Sequence, residues 1–325
     1  VIREYLTPFF ETLSDAIPEK LSQCIVSGNE IQTIASMCNA TNSLDFSIME
    51  RTAFTKMYKK AKEKGTEAIS MEYDIPQEEV EVLLPSLIVL NRLLKYTVND
   101  SILLSNVLLS DAVMFEMLFP KEASFVVKAY EEFTLQSATS IAERFGRDIG
   151  HISRVSSVAI EIYDKMKKLH GYKSRERTLL QVSAILQDIG KYVNVKNHAL
   201  LSYNTITNLD IVGINDHERL IIATVCYYHN GNIPSMDSPI YNQLSQEDRV
   251  MVSKLAAILQ ISNAINTSHS PKFEQVSVNM KNGKLNIYLT TLKNINLEKW
   301  AFIAKSKLFK EVYGLNATII KRGVL

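Results

Sequence analysis

Apolar residues recur at helical spacing over residues 8–17, where Phe9, Phe10, Leu13 and Ile17 share a face. The run Gln23-Cys24-Ile25-Val26 ends in Ser27-Gly28-Asn29 and predicts a buried strand meeting a tight loop. Helical spacing returns over residues 30–37, with Ile31, Ile34 and Ala35 together, so strand, glycine turn and helix follow in α/β order. Residues 54–64 predict a basic surface helix closed by Gly65. Pro76 with Glu78 and Glu79 marks another helix start, and Pro85 predicts a break into a second helix reaching residue 96, with Leu87, Leu90, Leu93 and Leu94 inward. Residues 101–109 read as a strand, and Leu118-Phe119-Pro120 as the end of a lobe.

The second half has a different style. Residues 138–166 form one long helical pattern, with Ile152, Val155, Val158, Ala159, Ile162 and Met166 on a single stripe. Residues 178–192 are apolar on nearly every side, as a central buried helix is. Helices follow over 217–228 and 245–262, the latter opened by Ser245-Gln246-Glu247-Asp248 as a capping box. After Pro271, two alternating runs, 275–278 and 284–288, flank Asn282-Gly283, a strong hairpin signal. An amphipathic helix over 297–313 and a strand over 317–321 close the chain, which carries no internal repeat.

At 325 residues the chain exceeds what one hydrophobic core usually holds, so two domains are expected. A net charge of +1 supplies no global field toward nucleic acid or membrane. The longest uncharged apolar run, residues 83–90, is far short of a membrane span. Cys24, Cys38 and Cys226 are too scattered for a disulfide framework or a zinc knuckle, which suits a cytosolic (cytoplasmic) protein. The chain opens at Val1 without an initiator Met or a signal pattern, which leaves two readings: a lost disordered start, or a start inside a larger protein.

The candidate chemistry lies in the helical half. His151 begins a helix; Leu186-Gln187-Asp188-Ile189-Gly190-Lys191 then sets an acid at the end of the most buried helix. An ionised Asp at that depth needs a partner. His198, Tyr228-His229-Asn230-Gly231 and Ile261-Ser262-Asn263-Ala264 follow. This layout resembles the HD phosphohydrolase superfamily, in which a helix-start His, a His-Asp pair and a later Asp bind a divalent ion. Gln187 stands where that pattern has its second His, and Asn263 where it has the last Asp. His151 and Asp188 would then be two good ligands of four, with weak metal affinity if any. A hydrogen-bonded His151–Asp188 pair without metal is the open alternative.

With the hairpin, helix and strand that follow, the chain resembles the C-terminal region of the exopolyphosphatase / guanosine pentaphosphate phosphohydrolase (Ppx/GppA) family. The resemblance implies a mostly helical α+β protein: a partial second actin-like (ribonuclease H-like) α/β lobe over 1–125 and an HD-like helical domain over 126–270. A β-hairpin, helix and strand over 271–325 would pack on that domain. Ser27 and Gly28 fall at the family's phosphate-touching loop, and Leu84-Pro85-Ser86-Leu87 and Leu109-Ser110-Asp111-Ala112 at two further short motifs. The family reaction is hydrolysis of a terminal phosphoanhydride of polyphosphate or guanosine pentaphosphate, helped by Mg or Mn. The family's Gly-rich phosphate loops and its catalytic Glu are absent from this sequence, which holds no Gly-Gly pair, and Glu30 would repel phosphate. The resemblance therefore implies an inactive chain with no catalytic residue of its own, no tightly held metal, a further N-terminal domain as partner, and a homodimer. It implies neither a membrane nor a specific nucleic acid as partner. Lys165, Lys167, Lys168, Arg175 and Arg177 form a run that could track a polyanion, or simply a solvated face. Two other functions stay open: a non-catalytic nucleotide- or polyanion-binding or dimerisation module, and an active HD hydrolase with a reduced metal set.

Overall fold

The computed structural model describes residues 20–43, 46–268, 270, 272–281 and 283–323, with 6, 7, 10 and 13. The helix expected over 8–17 and the Asn282 half of the hairpin signal lie largely outside these residues. The chain is mostly helical with two small sheets, an α+β protein, and it divides into two compact units, Val1–Ser124 and Phe125–Leu325.

The first unit opens with β1 (Cys24–Val26), α1 (Asn29–Met37), β2 (Thr41–Asn42) and β3 (Phe46–Glu50). It continues with α2 (Arg51–Tyr73), α3 (Gln77–Leu93), β4 (Ser101–Ser105) and α4 (Leu109–Leu118). Its sheet runs β1-β4-β3-β2, with β1 parallel to β4 and the rest antiparallel. Three expectations change here. β1 is an edge strand with Ile25 69% exposed, not a buried one, because β4 covers only one of its sides. The strand expected over 101–109 stops at Ser105, and α4 begins at Leu109; at Gly65, φ +80° and ψ 176°, the helical backbone breaks as expected, and a second helical arm follows within α2. Pro85 sits inside a continuous α3, because Leu83, Leu87 and Leu90 pack as one stripe across it, while the carbonyl it leaves without a donor belongs to exposed Glu81.

The second unit carries α5 (Ser124–Arg144), α6 (Ile149–Lys165), α7 (Ser174–Leu186), α8 (His198–Ile206), α9 (Asp216–Tyr228) and α10 (Gln246–Ile265). The single helix expected over 138–166 is two helices. Gly146 at φ +65° ends α5, and the Asp148 side chain accepts from Gly150 N at 2.9 Å to start α6. The apolar run after residue 178 likewise stops at Leu186, then tightens into a 3₁₀ turn at Ile189–Tyr192. A three-stranded sheet follows: β5 (Gln275–Lys281) and β6 (Lys284–Thr290) form the hairpin, and α11 (Asn296–Tyr313) leads to β7 (Asn316–Arg322), parallel to β6. One core, including Val155, Leu180, Val225, Ile258, Ile287 and Phe309, joins these helices to the sheet.

A candidate polar centre around Asp188

α7 ends at Leu186 because the chain must turn beneath α8. A Cβ on Gly190 would lie 2.3 Å from the carbonyl oxygen of His198 and 2.5 Å from the amide nitrogen of Ser202, so only glycine permits this approach. Gly190 N donates to Ser202 Oγ at 2.9 Å, and Ser202 Oγ donates to the Gln187 carbonyl at 2.8 Å. This clasp sets Asp188 beneath the start of α8, 6% exposed.

Three side chains converge there: Asp188, His198 and His229, all buried. Asp188 Oδ1 lies 3.3 Å from His229 Nε2 and 3.6 Å from His198 Nε2, and the two Nε2 atoms are 3.3 Å apart. Each ring is held from its other nitrogen by an acceptor. His198 Nδ1 donates to Val195 O at 2.7 Å, and His229 Nδ1 donates to Cys226 O. A carbonyl can only accept, so each Nδ1 carries a proton and each neutral ring presents its Nε2 lone pair to the centre.

Charge enters from two lysines. Lys191 Nζ pairs with Asp188 Oδ2 at 2.7 Å, which leaves Oδ1 for the histidines. Lys305 reaches in from α11, half-buried, past Gly231. Burial pushes the Lys305 ammonium below its ordinary range, against the pull of Asp188. Burial also works to raise the Asp188 carboxyl, but its contact with His229 and the adjacent Lys191 charge outweigh it and hold the group below the usual carboxylate range. His198 is pushed down from 6.5, first by burial and then by His229.

The other residues singled out from sequence are placed differently. His151 Nδ1 accepts from Asn266 Nδ2 at 2.9 Å, and His151 is not one of the three converging groups. Asn266, one turn beyond the half-exposed Asn263, is thus the residue that meets His151. The Gln187 amide is 1% exposed, and neither its Oε1 nor its Nε2 has a hydrogen-bond partner among the described residues. The basic run divides: Arg175 chelates Glu218, Arg177 chelates Asp164, and Lys165, Lys167 and Lys168, together with Lys173, stand exposed. In the first unit, Gly28 has φ +144°, Ser27 Oγ donates to Val107 O, and the Glu30 carboxylate lies over Gly28. The adjoining recess of about 440 Å³ is otherwise lined by apolar and hydroxyl groups such as Val26, Ser27 and Pro85, so its one charge has the sign of phosphate.

The family model for Ppx/GppA phosphatase domain III matches residues 135–308, more than half of the chain, and these residues contain the whole Asp188 centre. The chain belongs to the Ppx/GppA phosphatase family. Within this Ppx/GppA domain III, His198 and His229 are legible as candidates from their order in the sequence, but their convergence on Asp188 is not. Lys191 carries a weak signal, three residues beyond Asp188. Lys305 carries none, since it comes from a helix more than a hundred residues away.

Proposed function

We propose that this Ppx/GppA chain binds the terminal phosphates of polyphosphate or guanosine pentaphosphate through Lys191 and Lys305, and that it does not hydrolyse them on its own. The observation that carries the reading is the charge count at the centre. Two lysines face one carboxylate, and one of them, Lys305, has no carboxylate within ion-pair distance among the described residues. A half-buried ammonium within reach of a second lysine, Lys191, is a receptor for a multiply charged oxyanion. Hydrolysis needs more: a base aimed at water and donors placed around the transferred group. The loop at Gly28 offers Glu30 instead, which repels phosphate. Titrating the chain with polyphosphate of defined length tests this. Lys305→Gln should weaken binding about tenfold, the scale of one charge-assisted contact, while phosphate release stays at the no-protein background. Binding that survives Lys305→Gln but is lost when Lys165, Lys167 and Lys168 are all changed to Gln would move the site to that exposed face.

A further inference from the structure

The geometry points to a single transition-metal site formed by Asp188 Oδ1, His198 Nε2 and His229 Nε2. This ligand set differs from the His151, Gln187, Asp188 and Asn263 set expected from the sequence. Three lone-pair atoms face one another at 3.3, 3.3 and 3.6 Å in a buried volume. With both Nδ1 protons committed to the Val195 and Cys226 carbonyls, neutral rings leave no hydrogen between these atoms. Such an arrangement is repulsive unless a cation occupies its middle. One extra proton, on one imidazole, can bridge one of the three contacts at a time. A metal ion satisfies all three.

The spacing suits a metal. Bonds of about 2.0–2.2 Å put neighbouring ligands about 3.0 Å apart at right angles and about 3.4 Å apart at tetrahedral angles. The observed triangle therefore needs little closure. The anchored Nδ1–H groups supply the outer hydrogen bonds that fix ligating imidazoles, and Lys191 on Oδ2 restricts Asp188 to one ligating oxygen. Two nitrogens and one oxygen favour zinc, cobalt or nickel over magnesium, which takes oxygen ligands. With three protein ligands the ion keeps an open face. The inference stands apart from phosphate binding at Lys305: either can hold while the other fails.

The test uses the full chain, stripped with chelator and titrated with Co²⁺, Zn²⁺ and Mg²⁺. Co²⁺ should produce visible absorption saturating at one equivalent, and Zn²⁺ should displace it. Mg²⁺ should bind at least a hundredfold more weakly than Zn²⁺. His198→Gln and His229→Gln, whose amides can still donate to the anchoring carbonyls, should each lower Co²⁺ affinity at least tenfold, whereas His151→Gln should not. No Co²⁺ spectrum in the wild-type chain would overturn the site, as would a spectrum indifferent to both the 198 and 229 changes. Wild-type binding needs no variant to fold, and circular dichroism on the variants separates lost ligation from lost structure.

Discussion

Gly190→Ala is the sharpest perturbation the structure allows near the Asp188 centre. The added methyl would lie 2.3 Å from His198 O, 2.5 Å from Ser202 N and 2.8 Å from Leu201 Cβ. Two of these three atoms are backbone of the first turns of α8, so no side-chain rotation relieves the clash. The helix must withdraw by about 1 Å to restore ordinary contact. Withdrawal stretches the Gly190–Ser202–Gln187 clasp, two buried hydrogen bonds of 2.9 and 2.8 Å. Overpacking costs about 1–3 kcal/mol and each disturbed bond about 1 kcal/mol, so the total is about 4 kcal/mol. For a unit of this size that lowers the melting temperature by about 8–16 °C.

Scanning calorimetry of the chain and the variant measures this directly. Gly323→Ala is the control: its added methyl meets nothing within 4 Å and its φ is not in the left-handed region, so its melting temperature should not move. The same withdrawal carries His198 away from Asp188, so Co²⁺ affinity should fall together with stability. A Gly190→Ala protein melting within about 2 °C of the wild type would refute the close approach, and with it the reason for glycine at this position.

Gln187→Met should stabilise the chain by about 1 kcal/mol, because it removes two buried amide atoms without partners and leaves the backbone clasp intact; a destabilised variant in urea denaturation would show that the amide is satisfied in solution. His170 is held as a neutral ring, Nε2 donating to Tyr163 O and Nδ1 accepting from Tyr172 N. Burial, helped by Lys254 and opposed by the Tyr163 carbonyl, Asp164 and Glu176, puts its pKa below the unfolded 6.5. The unfolded chain therefore takes up the proton first, so this stability is complete above pH 6.5 and is lost as pH falls through that value. His170→Gln should lose less stability between pH 7.5 and 5 than the wild type, and equal losses would sink the assignment.

What was legible in the sequence was mostly local. The start of α10 follows from Ser245, whose hydroxyl accepts from Asp248 N at 3.1 Å, and the hairpin from Gly283 at φ +67°. Both signals act within four residues and do not depend on the rest of the chain. The failures came where tertiary packing overrode a local signal. Pro85 lies within α3 because its leucine stripe is buried, and a continuous stripe across residues 138–166 hid the break at Gly146. β3 went unread because Phe46–Glu50 alternates only weakly, although Ser47 and Met49 are both buried against the first unit's core.

The Asp188 centre obeys the same division. Each imidazole is anchored to a carbonyl three residues earlier, His198 to Val195 and His229 to Cys226. Tautomer and ring orientation are thus properties of two short turns, settled before the helices meet. Convergence is not local: it requires α8 to approach the turn after α7 as closely as Gly190 allows, and α9 to end against both. A pattern search finds the histidines but cannot pair them, which is why His151 looked like the partner of Asp188 while the structure sets His198 and His229 against it. Substitutions at Gly190 should therefore change how closely the three ligand atoms converge while leaving both Nδ1 anchors in place. Substitutions that disturb the turns at Val195 or Cys226 should change which nitrogen faces the centre. Affinity and ligand identity are, in this fold, under the control of different residues.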